Sequence, residues 1–285
     1  MTKQPFRLHV KASTILKWII AIIALIIALF PIWWVFSIVF SDPGTPVSVN
    51  PRLYPSSLSA GFQNIAKAVT ENNYQFLRAY LNTTFYTIFT ILGVLILCSM
   101  AAYEFALFDF PGKKILFSLA LFAMMIPTVV TLVPTYLLVA GLGWINTLQG
   151  LVVPGIASAF GLFMLTQFFQ DIPKEIMDAA IIDGASHFGV YRYVVMPLST
   201  NALVTLAIIT FINTWGNFAW PLVIATNETT FTVSQMINRY NGQFTRASIN
   251  MIMTVNLLAA ILPLLFFIIF QSKIIKGISM SGLKG

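Results

Sequence analysis

Between Lys114 and Asp171 the chain runs for 56 residues without a charged side chain. Little that is soluble can accommodate such a stretch. At about 20 residues per crossing of ~30 Å of hydrocarbon, it is long enough to pass through a bilayer twice. Inside lipid every backbone N–H and C=O must be satisfied within the chain, which makes a helix the natural form of each crossing. Charge-free gaps also separate Lys17 from Asp42, Arg78 from Glu104 and Arg246 from Lys273, and the gap from Arg192 to Glu228 holds one crossing plus a polar, aromatic end. Only 9% of the 285 residues are charged, where a soluble domain carries roughly a quarter. The stretch "GLGWINTLQG", Gly141 to Gly150, divides the longest gap with turn residues and an interfacial Trp144. The expectation is an all-α polytopic membrane protein in one domain, with six transmembrane helices near 17–40, 80–103, 115–140, 150–170, 201–224 and 249–272.

Sorting the cations by side orients these spans. Lys3, Arg7, Lys11, Lys17, Lys113, Lys114, Lys174, Arg192, Lys273, Lys276 and Lys284 fall on one side, and Arg52, Lys67, Arg78, Arg239 and Arg246 on the other. The positive-inside rule places both termini in the cytoplasm. The net charge of +7 then belongs to the membrane surface and not to a nucleic-acid site. An external loop, 41–78, begins with Pro/Ser-rich turns and continues as one or two short amphipathic helices; 225–248 forms a second external loop. The first span, 24 uncharged residues without a small-residue cleavage site, reads as an uncleaved anchor.

Much chemistry is missing from the sequence. There is no GxxxxGK[ST] phosphate loop, so ATP hydrolysis by that machinery is not expected. His9 and His187 both fall in cytoplasmic segments, no His/Cys cluster suggests a metal, and Cys98 sits in an apolar run as a small buried thiol. The nine acidic residues lie in loops or at span edges, where a proton-coupled carrier would keep ionisable groups inside the membrane. A stand-alone carrier or channel and an integral-membrane enzyme are the competing classes, and neither finds its residues here.

The exception to this poverty of charge is "QDIPKEIMDAAIIDGASHFGVYRYVVMP", residues 170–197, which takes in the loop 171–197. A proline suits a helix's first turn, and Glu175 and Asp178 lie near the positive end of its dipole. Ile176, Met177, Ala180 and Ile181 supply an apolar side, and Gly184 permits a turn. A second helix follows, with Phe188, Tyr191, Val194 and Val195 at helical spacing, and Pro197 ends it. The prediction is a cytoplasmic helix–turn–helix between the fourth and fifth spans.

This stretch resembles the signature of ABC-importer permeases: E-A-A, three residues, G, nine residues, I, any residue, L-P. Asp178-Ala179-Ala180, Gly184, Val194 and Met196-Pro197 keep every spacing, with Asp for Glu, Val for Ile and Met for Leu. "FPGKK" (Phe110 to Lys114), "FINTWGNFAWPLVI" (Phe211 to Ile224) and "KGISMSGLKG" at the end are similar to the carbohydrate-importer, maltose-type branch of that family, although Gly216 intervenes between Trp215 and Asn217.

The resemblance implies the membrane permease subunit of an ATP-driven, binding-protein-dependent importer of sugars or oligosaccharides in a bacterial or archaeal cell membrane. Its partners would be a second homologous permease, two ATPase subunits that bind ATP and Mg, and an extracytoplasmic solute-binding protein. No cofactor or metal would sit on this chain. Glu175, Asp178, Ala179, Ala180, Asp183, Gly184 and Ala185 would form the ATPase-coupling segment, and Ser279, Ser281 and Gly282 a tail contact with the ATPase. Asn213, Trp215, Asn217 and Trp220 are candidates for the solute path, because sugars bind polar groups beside aromatic faces; the two tryptophans equally suit an interfacial belt. Pro127 and Pro134 are expected to kink the third span or simply to be tolerated there. Glycerol phosphate or an acidic oligosaccharide is the rival solute class.

Overall fold

The computed structural model describes residues 12–42, 53–241 and 248–281. Within them every regular element is helical, in the order α1 (Ala12–Val39), α2 (Leu58–Leu107), α3 (Lys113–Met125), α4 (Thr128–Gly141), α5 (Leu148–Val152), α6 (Ala159–Gln170), α7 (Lys174–Ile182), α8 (His187–Val190), α9 (Met196–Leu198), α10 (Thr200–Trp215), α11 (Ala219–Ile224), α12 (Val233–Asn241) and α13 (Ile249–Ser281). Two compact units divide the chain, 1–68 with 245–258 and 69–244 with 259–285.

In the first unit, α1 exposes most of its apolar length and buries Ser37, Ile38 and Val39 at its end, as suits a helix whose solvent is lipid or another subunit. Its end is held instead by amides. Asn250 Nδ2 donates to the Ile38 and Ser41 carbonyls at 2.8 and 2.9 Å, and Asn64 Nδ2 to the Val39 carbonyl at 2.8 Å. These bonds satisfy acceptors that a helix C-terminus leaves without partners. The Ser56 and Ser57 N–H groups both donate to the Phe40 carbonyl.

The expected external loop 41–78 and second span 80–103 need correction. From Leu58 the chain is already helical, and α2 continues without interruption for 50 residues to Leu107. The amphipathic segment and the span are one helix because no proline stands between Ser57 and Phe110 to separate them.

The expected third span is broken. Helices α3 and α4 meet at 106°, and Ile126 is extended at ψ 121°, as befits a residue forced out of the helical region by the following proline. Pro134 lies inside α4 and interrupts nothing. The fourth span bends by 45° between Leu148–Gly155 and Ala159–Gln170, where Ser158 caps α6 by accepting from the Gly161 N–H. The range 201–224 also divides: α10 ends at Trp215, residues 216–218 are non-helical, and α11 follows. Among the described residues three helices, Ser13–Val39, Gln75–Leu107 and Ile249–Gln271, are long and apolar enough to cross a membrane, and up to six crossings arise if each bent pair counts as one.

The turn Gly141–Gly150 is tightly built. The Thr147 hydroxyl donates to the Trp144 carbonyl and accepts from the Gly150 N–H. A Cβ on Gly150 would collide with the Trp144 carbonyl oxygen, and backbone cannot swing aside. Gly150→Ala is therefore expected to cost about 1–3 kcal/mol, visible as a melting midpoint several degrees lower in detergent.

Candidate docking loop and solute cavity

The charged stretch folds as a helix–turn–helix. Pro173 occupies the N-cap position of α7 without a capping bond, and Glu175 lies in the first turn. The helix closes through a paired turn: the Gly184 N–H donates to Ile181 O at 2.9 Å and the Ala185 N–H to Ala180 O at 3.0 Å. Both bonds together require a left-handed residue at the bend, and Gly184 has φ +88°. Ser186 then caps α8 by accepting from the Gly189 N–H. Residues Tyr191–Val195 widen into a π turn, the Met196 N–H reaching back to Tyr191 O. Pro197 has no N–H to offer the carbonyl of Tyr193, and a widened turn upstream accommodates such a residue. Contrary to the expected stop at Pro197, the helix persists to Leu198 and turns by 76° into α10.

Burial separates two faces of this loop. Met177, Val190, Tyr191 and Val195 join a core with Val94, Cys98, Leu165, Phe169 and Leu206, and Ala180 and Ala185 pack against it. Tyr191 shares a hydrogen bond with Ser99 at 2.7 Å, and the Tyr103 hydroxyl donates to the His187 carbonyl at 3.0 Å. The expected apolar side is thus only half right: Met177 and Ala180 turn inwards, whereas Ile176 and Ile181 stay exposed beside Ile182, which is 84% exposed. Glu175, Asp178, Ala179, Asp183 and Gly184 share that outer surface. No ion pair engages the three carboxylates among the described residues. The loop thus has a packed inner face and an exposed outer face of carboxylates, small residues and isoleucines.

The solute-path candidates part company. Asn217 and Trp220 line a cavity of about 280 Å³, together with Tyr86 of α2, Thr128, Thr131 and Thr135 of α4, and Pro154 and Gly155. The Asn217 amide donates to the Tyr86 hydroxyl at 3.4 Å, its Oδ1 accepts from the Trp220 N–H, and the Trp220 indole donates to the Gly150 and Leu151 carbonyls. Trp215 packs edge-on against Tyr80, with centroids 5.4 Å apart, and lines a second cavity of about 340 Å³ with Gly216, Phe218, Ser234 and Asn238. Asn213 is exposed on α10 and lines neither. No charged side chain lines either cavity. The chain breaks at Pro127 and at 216–218 border the first of them; irregular backbone at membrane depth is tolerated where it lines such a cavity.

Tyr86 and the threonines escaped sequence reasoning. A signal existed: Thr128, Thr131 and Thr135 recur at three- and four-residue spacing inside a charge-free run, which puts hydroxyls on one helix face. Ser279 and Ser281 fall in the last turns of α13, and Gly282 lies outside the described residues. Among the described residues no group of three His, Cys, Asp or Glu could hold a metal.

A family of binding-protein-dependent transport system inner membrane components matches residues 95–279, from the last turns of α2 through the loop to the end of α13. The chain belongs to this family. Its recognition as an ABC-importer permease thus stands on the whole matched region and not on the loop alone. It is 31% identical to the sn-glycerol-3-phosphate transport system permease protein UgpE of Rhizobium meliloti over 277 residues, covering 93% of this chain and 96% of that protein. It is 29% identical to the arabinooligosaccharides transport system permease protein AraQ of Halalkalibacterium halodurans over 285 residues, 96% and 99% of the two chains. In fold it matches a chain from the crystal structure of a bacterial ABC transporter involved in the import of the acidic polysaccharide alginate, with a TM-score of 0.79 at 21% identity, covering 94% and 99%. The all-α membrane fold expected from the charge-free gaps is the fold of that importer. Family and relatives are transport permeases, which is a non-catalytic role.

Proposed function

We propose that this permease carries a neutral oligosaccharide or similar polyol inwards and draws its energy from ATPase subunits docked on the loop 171–197. The observation that carries the solute class is the cavity lined by Tyr86, Thr128, Thr131, Thr135, Asn217 and Trp220: hydroxyls, an amide and an indole set among apolar neighbours such as Val129 and Leu132, without a charge. Hydroxyl-rich solutes are recognised by such groups, whereas an anion in a low-dielectric site needs a cation or a helix terminus committed to it. The arabinooligosaccharide relatives agree with this choice, and the glycerol-phosphate relatives support the rival.

Coupling rests on the loop's outer face. Glu175, Asp178 and Asp183 would meet basic groups of an ATPase cleft, Ala179 would allow close approach, and Ile182 would fill an apolar hollow. Because Met177, Tyr191 and Val195 tie the loop into the core of α2, α6 and α10, a displacement of the loop would be passed to the spans as a rigid movement. A second permease would complete the pathway, a solute-binding protein would deliver from outside, both termini would be cytoplasmic, and ATP and Mg would be held by the ATPase subunits. The tail including Ser279, Ser281 and Gly282 would extend towards them.

Uptake by vesicles holding the complete transporter tests both parts. With a panel of labelled neutral oligosaccharides, glycerol phosphate and uronic oligosaccharides, uptake of a neutral member is expected. Asn217→Ala should raise its KM roughly tenfold, about one hydrogen-bonding group's worth, with ATP hydrolysis intact. Uptake of an anion alone would move the assignment to the rival class.

A further inference from the structure

One carboxylate has no place in this account. Glu104 stands in the last turn of α2, which ends at Leu107, where the negative end of the helix dipole disfavours an anion. It is exposed, and no ion pair or side-chain hydrogen bond engages it among the described residues, whose ion pairs are Lys113–Asp109 and Arg239–Glu228. Nothing inside the described chain therefore accounts for a negative charge at this point.

Beside it opens a cavity of about 480 Å³, lined by Tyr103, Glu104, Phe108, His187, Phe188 and Tyr191 among its residues. The rings brace one another: Tyr103 lies edge-on to Phe108 at 5.6 Å and to Tyr191 at 5.4 Å, Phe188 is 5.8 Å from Tyr191, and His187 is 5.1 Å from Phe108. Both phenols are already hydrogen-bonded, Tyr103 to the His187 carbonyl and Tyr191 to Ser99. What remains for a ligand is aromatic surface, the imidazole of His187 and one carboxylate. That combination suits a cation, which gains from the ring faces and from the charge together. A cation would also remove the unfavourable meeting of Glu104 with its own helix end.

The cavity's second wall is α8 with the start of the π turn, the downstream half of the docking loop, where Phe188 is 66% exposed. We infer that it receives an arginine or lysine side chain of the ATPase subunit, a second anchor beside the α7 surface. The inference rests on the reading that the loop docks on the ATPase. A basic side chain fits better than an anionic lipid headgroup, which Glu104 would repel.

Affinity of purified ATPase subunit for the complete permease pair in nanodiscs tests this, with Glu104→Gln, Glu104→Lys, Phe188→Ala and Gly184→Pro compared at low and high salt. Glu104→Gln is expected to weaken binding about tenfold at low salt and less at high salt, because an ion pair near the surface is screened. Glu104→Lys should weaken it further, and Phe188→Ala equally at both salts. A photo-crosslinker at position 104 of the assembled transporter should label the ATPase. If Gly184→Pro weakens binding and both Glu104 variants bind as the native chain does, the second anchor is wrong and loop docking stands. If no variant changes binding, both fail. Crosslinks confined to lipid, to the partner permease or to this chain's own amino-terminal segment would overturn the inference, whatever the affinities.

Discussion

A Gly184→Pro permease should still insert, melt several degrees below the native chain, and lose at least tenfold of the ATP hydrolysis it supports in a reconstituted transporter. No neighbouring side chain is displaced, because Gly184 is exposed and no atom lies within 4 Å of where its Cβ would stand. Both losses come from the backbone. Gly184 holds φ +88°, and proline is locked near −65°. It also removes the N–H that bonds to Ile181 O. The bend that aims α7 relative to α8 cannot survive both losses. Gly184→Ala gives a graded control, since a left-handed alanine costs roughly 1–2 kcal/mol and can still be tolerated. ATP hydrolysis and circular dichroism on the three chains check the expectation. Native-level coupled hydrolysis in the proline variant would mean that the bend does not transmit the ATPase cycle.

Much of this loop was legible because polar and apolar residues alternate in it on a scale a short helix can use. The position of Gly184 between two helical segments announced the turn, and the structure places a left-handed residue there. Which side of α7 faces inwards was less legible. Ile176 and Ile181 look like core residues in a sequence where most isoleucines face lipid or protein, and only the packing of Met177 and Ala180 on α2 and α6 leaves them outside. The same ambiguity governs the spans. A charge-free gap marks a crossing but carries no amphipathic period, because lipid and protein interior are equally apolar. Breaks at Ile126 and at 216–218 had local causes, proline in one case and Gly216 with Asn217 in the other. Where α2 begins had none: a polar helix and an apolar span look like separate elements until one notices that nothing forbids the join.

The cavity of Asn217 and Trp220 depends on a residue that does not touch it, and Asn146→Ala should show this. Asn146 adopts φ +58°, a region that asparagine tolerates better than most side chains. Its Oδ1 accepts from the Thr226 N–H at 2.7 Å, the Asn227 N–H at 2.9 Å and the Thr230 hydroxyl at 3.1 Å, and its backbone N–H donates to Ile224 O at 2.9 Å. One side chain thereby ties the turn after α4 to the chain leaving α11. Alanine would leave the acceptor role empty and worsen the backbone, a loss of about 2–4 kcal/mol at roughly 1 kcal/mol for each net bond, or on the order of 5–10 °C in melting midpoint. Asn146→Asp keeps the accepting oxygen, gives up only the donation to Thr226 Oγ1, and should melt near the native chain. The functional consequence is separable from the loss of stability. Since α11 carries Trp220 and is held at its far end by this knot, the alanine variant measured well below its melting point should show a raised KM for solute with kcat changed less. If KM is unchanged while the midpoint falls as expected, Asn146 holds the turn after α4 without shaping the cavity. A midpoint unchanged in alanine and lowered in aspartate would mean that the acceptor network contributes nothing and that charge at this turn decides.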